Sequence, residues 1–108
     1  MKHEITNRQG ATIIELKGEV DLENSPAARE LLLKSIEDAS RVLVDLSAVT
    51  YIDSSGVASL VEALQASKKR DTVFALAAAS EPTRRVLELA RLDKVFTIYE
   101  TVDAALAD

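Results

Sequence analysis

The chain contains no cysteine, a single histidine (His3) and four aromatic residues, two Tyr and two Phe with no Trp. Without cysteine there is no disulfide framework, thiolate zinc site, iron–sulfur cluster or cysteine nucleophile. One histidine leaves almost no material for histidine-based catalysis or a multi-histidine metal site. The scarcity of aromatics argues against a base-stacking surface. Three glycines and two prolines are too few for a flexible or proline-rich linker. No apolar run approaches the ~20 residues needed to span a bilayer, and the N-terminal Met1–Gly10 stretch is polar, unlike a secretory leader. Positive charge is also in deficit: 13 basic against 18 acidic residues leave a net charge of −5. A phosphate backbone would be repelled, so nucleic acid is not an expected partner. The expectation is a soluble cytoplasmic protein with no direct membrane insertion.

What is present is aliphatic and small. Of the apolar residues, 16 are Ala, 14 Leu, 10 Val and 6 Ile, a set suited to helices packed closely on a sheet. A chain of 108 residues suits one domain, residues 1–108. Surface scaling predicts about 5,900 Å² of accessible area when folded, enough burial for an unstapled core.

Short extended segments are predicted at His3–Arg8 and Ala11–Lys17, joined by a hairpin turn at Asn7–Gly10. Gly18 is expected to end the second, before a short Glu19–Leu22 segment. Ser25 as cap and Pro26 at the first helical position open a helix that ends near Ala39. Its acids Glu23, Glu30, Glu37 and Asp38 read as a solvated face. Val42–Leu46 is apolar on both parities, as a strand covered on both faces would be, and Asp45 within it needs a hydrogen-bond partner. A loop at Ser47–Tyr51 is expected next. A helix from about Ser55 to Lys69 follows, with Val57, Leu60, Val61 and Leu64 on one face. Its basic end, Lys68-Lys69-Arg70, complements the helix dipole. A strand at Thr72–Ala77 and a helix from Ser80-Glu81-Pro82 to about Arg91 come next, the helix burying Val86, Leu87 and Ala90. A strand at Phe96–Tyr99 and a helix Val102–Ala107 capped by Thr101 complete the chain. Strands alternating with helices imply right-handed βαβ crossovers. The fold class is α/β: a single mixed, mostly parallel sheet with helices packed on it and an antiparallel edge from the opening hairpin.

The chemically informative stretch is VLVDLSAVTYIDSSGVASLVEAL, Val42–Leu64. Asp53-Ser54-Ser55-Gly56 places two hydroxyls at a helix start, where amides and dipole favour negative charge. Gly56 allows a backbone or a phosphoryl group to approach closely. A serine there can accept a phosphate, although Asp53 sets a like charge one residue away. Asp, Ser and Gly are equally the residues that simply begin helices, and Ser55 is the expected cap.

This segment resembles the signature of the STAS domain, in its bacterial anti-sigma factor antagonist branch: an apolar strand ending in Asp-Leu-Ser, then Ile-Asp-Ser-Ser-Gly opening a helix. The resemblance extends over nearly the whole chain, through Gly18-Glu19-Val20-Asp21, Arg84–Leu89, and Phe96 with Ala104-Ala105-Leu106. It implies a SpoIIAA-like fold and a partner switch. The unphosphorylated antagonist binds an anti-sigma factor that is also a serine kinase of the GHKL ATPase type, and so frees a sigma factor. Phosphorylation of the motif's first serine, here Ser54, ends binding, and a PP2C-type phosphatase restores it. By the same resemblance Asp53, Ser55 and Gly56 shape the phosphosite pocket, and Asp21 is an acid near that surface.

Three positions depart from the family pattern. Ala58 stands where Gly-Leu-Gly often ends, Asp71 where a glycine commonly follows the second helix, and Arg91-Leu92 where Gly-Leu is frequent. An alternative within the fold is a STAS subunit that binds the ATPase of an ABC-type phospholipid transporter. An enzyme is not expected. Ser54 has no positioned base, since His3 lies far upstream on the edge hairpin. No Walker or dinucleotide glycine motif occurs, and neither a cofactor nor a metal is called for.

Overall fold

The computed structural model describes all residues, 1–108. Five strands, β1 (Lys2–Arg8), β2 (Ala11–Val20), β3 (Arg41–Ile52), β4 (Val73–Ala77) and β5 (Ile98–Tyr99), form one sheet in the order β1-β2-β3-β4-β5. Only the β1–β2 pair is antiparallel; β2–β3, β3–β4 and β4–β5 are parallel. The helices are α1 (Ser25–Asp38), α2 (Ser54–Lys69), α3 (Glu81–Leu89) and α4 (Val102–Ala107), with one 3-10 turn at Leu92–Lys94. The accessible surface, 6077 Å², is close to the expectation from chain length.

The two parities of β3 explain the layering. Val42, Val44 and Leu46 point into the main core with Ile14, Leu16, Leu76, Leu32 and Ile36 of α1, Leu60 of α2 and Leu87 of α3. Leu43 points the other way, into a smaller cluster with Ala11, Ile13, Ala75 and, from α4, Ala105 and Leu106. The central strand is thus covered on both faces, as its unbroken apolar run requires. A fully buried leucine is worth about 1.5–3 kcal/mol, so the main face carries most of the stability. Asp45, half-buried, accepts a hydrogen bond from the Ser47 amide at 3.0 Å.

Several boundaries differ from the sequence reading. Gly18 does not end a strand. It sits at φ +89° within β2, where the β2–β3 register shifts, and the chain continues extended to Val20. Such a bulge is a normal place for glycine inside a strand. Ser47–Tyr51 is not a loop but the second half of β3, paired with Lys17–Glu19. Asn24, not Ser25, occupies the cap position of α1; its side chain makes no capping bond, and the Ser25 hydroxyl donates to the Leu22 carbonyl. The last strand is Ile98–Tyr99 alone, and Phe96 is a buried core residue before it. Ala90 is exposed, just beyond the end of α3. Thr101 caps α4 as expected, its hydroxyl oxygen accepting from the Ala104 amide at 2.9 Å.

Two of the three departures from the family pattern have a backbone cause. Asp71 and Arg91 both lie in the left-handed region, at φ +56° and +60°. There glycine avoids a cost of about 1–2 kcal/mol. The third, Ala58, is an exposed residue of α2 with no such constraint.

Candidate functional site

β2 and β3 run parallel and end side by side, Val20 opposite Ile52. At this end of the sheet the turn Asp21–Asn24 leads into α1, and Asp53 leads into α2. The Asp53 carboxylate ties the two together. Its Oδ1 accepts from the amides of Ser55 (2.9 Å) and Gly56 (3.2 Å), and its Oδ2 accepts from the Leu22 amide (3.2 Å). Asp53 is therefore the cap of α2, the role expected of Ser55. Partial burial pushes its pKa up, but the Gly56 amide, the Ser55 hydroxyl and the Ser55 and Leu22 amides outweigh this and hold it below the ordinary carboxylate value. The group is ionised at neutral pH.

Ser54 is the first residue of α2 and is exposed. The neighbouring first-turn amides already donate to Asp53, so the anion-holding capacity of this helix start is taken up from within. Ser54 is thus an exposed hydroxyl beside a fixed negative charge. Ser55 is half-buried and lines a groove of about 470 Å³ between α1 and α2 with Ser25, Arg29, Ser59 and Glu62. Arg29 and Glu62 form an ion pair across that groove. The buried Ser59 hydroxyl lies within hydrogen-bond distance of the Ser25 and Ser55 carbonyls, each at 3.2 Å, which joins the two helices beside the site.

Gly56 serves the protein's own packing. A Cβ there would lie 2.3 Å from the Val20 carbonyl oxygen and 2.7 Å from Ile52 Cγ1. The absent side chain lets α2 start against the end of β2, so the close approach belongs to this chain's backbone and not to a phosphoryl group. Asp21 accepts through Oδ1 from the Asn24 amide at 3.0 Å, shaping the turn before α1. Asp21, Asp53, Ser54, Ser55 and Gly56 thus meet at one end of the sheet. Leu22 joins them, 74% exposed, and the sequence offered no signal for its amide bond to Asp53, 31 residues away. Tyr51, 49% exposed, flanks the other side, in a shallow groove with Pro82, Arg85 and Val86.

A mostly parallel sheet with a serine pair at the capped start of its second helix is the arrangement that the comparison with known families identifies. The chain belongs to the STAS domain family, whose model matches residues 2–105. Among its relatives is the anti-sigma-F factor antagonist RsfB of Mycobacterium tuberculosis, 30% identical over 103 residues that cover 94% of this chain and 84% of that protein. The crystal structure of an anti-sigma factor antagonist from Mycobacterium paratuberculosis superposes with a TM-score of 0.84 at 28% identity, covering 98% of this chain and 91% of the other. The fold is shared with SpoIIAA in its unphosphorylated form, with a TM-score of 0.80 at 18% identity over 97% of this chain and 93% of that one. No helix is long and apolar enough to cross a membrane.

Proposed function

We propose that this chain is an anti-sigma factor antagonist that works by partner switching and is not itself an enzyme. In its unmodified form it docks an anti-sigma factor, a serine kinase of the GHKL ATPase type, through the end of the sheet that presents Ser54. The kinase transfers a phosphoryl group from ATP to the Ser54 hydroxyl, and docking ends. A PP2C-type phosphatase resets the chain by hydrolysis. The reading places all of this in the cytoplasm.

The observation that carries the reading is Ser54 itself: exposed, first in α2, and flanked by a carboxylate whose three backbone bonds hold it in place. Phosphorylation adds a charge of about −1.5 to −2 beside Asp53, with Glu19 and Glu23 exposed on the adjoining turn and strand end. Burying that dianion in a docked interface leaves a desolvated, repelled charge, which is strongly unfavourable. Names of relatives support the antagonist role, and the serine's position supports the switch.

The test is to capture partners on the purified chain from its native lysate, then to incubate the captured kinase with ATP and map the modified residue. A GHKL-type kinase and phosphate on Ser54, lost in Ser54→Ala, are expected. Capture of an ABC ATPase subunit instead, or phosphate that persists on Ser55 in Ser54→Ala, would overturn the reading.

A further inference from the structure

The first strand of the sheet is open along its outer side. All seven residues of β1 are exposed, β1 pairs only with β2, and its register from Lys2↔Lys17 to Arg8↔Ala11 has no bulge. The two-residue turn Gln9-Gly10, both at positive φ, makes Arg8 and Ala11 the first hydrogen-bonded pair. Alternation from that pair directs the backbone N–H and C=O of His3, Ile5 and Asn7 away from β2. The strand has neither a proline nor a bulge to blunt its edge; its exposed charges, Lys2, Glu4 and Arg8, restrict which strand can pair there.

We infer that β1 is a docking edge for a second copy of this chain, paired antiparallel about a two-fold axis at Thr6. Three two-fold registers use the free groups of His3, Ile5 and Asn7 over most of the strand, and charge separates them. Centred on Glu4, the register sets Glu4 against its own copy. Centred on Ile5, it sets Lys2 against Arg8 twice. Centred on Thr6, it sets Glu4 opposite Arg8 twice and Thr6 opposite Thr6, with Ile5 and Asn7 exchanging backbone bonds. Opposite charges directly across a pair stabilise it, and like charges destabilise it. Within one copy Glu4 already meets Lys17 (3.1 Å) and Arg8 meets Asp103 (3.0 Å). Each pair uses one atom of the group, so the second Glu4 carboxylate oxygen and the remaining Arg8 N–H donors are left for a cross-copy pair. The result is a continuous ten-stranded sheet. Ser54 follows β3, two strands in from the joined edges, so both copies of the site stay open and the assembly is bivalent toward a partner.

The natural absence of cysteine gives a clean test. Thr6 facing Thr6 is a non-hydrogen-bonded pair, with Cα atoms about 4.5 Å apart, inside the range a disulfide spans. Ile5 and its own copy are diagonal neighbours at about 7–8 Å, beyond that range. Thr6→Cys is expected to cross-link under mild oxidation at least tenfold faster than either Ile5→Cys or Gln65→Cys, an exposed helical control. The unsubstituted chain is expected to sediment faster as its concentration rises. Cross-linking of Ile5→Cys ahead of Thr6→Cys would overturn the register. Rates for Thr6→Cys no greater than for Gln65→Cys, or an unsubstituted chain that sediments as a monomer at every concentration, would overturn the inference.

Discussion

Replacing Gly56 with alanine sets two effects of opposite sign against each other. Helix propensity alone favours alanine inside α2 by about 1 kcal/mol. The added Cβ, however, would meet the Val20 carbonyl oxygen at 2.3 Å, Ile52 Cγ1 at 2.7 Å and Val20 Cγ1 at 3.0 Å. The nearest of these is backbone, fixed where β2 lies beside β3, and cannot rotate away. Overpacking of this kind costs about 1–3 kcal/mol, and a backbone clash belongs at or above the top of that range. The net loss is about 2 kcal/mol. At about 4–8 °C per kcal/mol for a domain near this size, the thermal midpoint falls by about 10 °C. The Gly56 amide also donates to Asp53, so moving α2 outward strains the cap and the Leu22 turn with it. Thermal and urea denaturation of Gly56→Ala beside Ala58→Gly is the assay. Position 58 lies on the same helix but is exposed, and glycine there costs about 1 kcal/mol by propensity alone. A Gly56→Ala protein as stable as the parent, or more stable, would refute the close-approach account of this glycine.

Asp71→Gly and Arg91→Gly each relieve a left-handed backbone. Each is expected to raise stability by about 1 kcal/mol, less the entropy that glycine adds to the unfolded chain; a fall in urea midpoint for both would contradict this. Asp53 has its pKa held below its ordinary value of 3.8, so its contribution is full above that value and is lost as pH falls through the lower folded value. Asp53→Asn is therefore expected to flatten the acid limb of a plot of melting temperature against pH, and an unchanged acid limb would count against the cap.

The long elements were legible because their patterns are strong. The i, i+3, i+4, i+7 spacing of Val57, Leu60, Val61 and Leu64 gave α2, and the two-parity run Val42–Leu46 gave a strand covered on both faces. The missed half of β3 has a physical reason. β4 ends at Ala77 opposite Asp45, so beyond Leu46 the strand pairs only with β2. Ser47, Thr50 and Tyr51 are exposed, and the apolar signal fades although the chain stays extended. Gly18 reads as a break because a bulge and a break both call for glycine. At the site, Asp53-Ser54-Ser55 offers three consecutive residues suited to capping, and only geometry identifies Asp53. The bond from the Leu22 amide to Asp53 was not legible at all, since it depends on β2 and β3 ending side by side.

The most direct measurement of the switch is calorimetric titration of the captured anti-sigma partner with the unmodified chain and with chain phosphorylated at Ser54. The account predicts that the unmodified chain binds and that the phosphorylated chain binds at least tenfold more weakly, a difference of about 1.4 kcal/mol or more. Equal affinity of the two forms would contradict it.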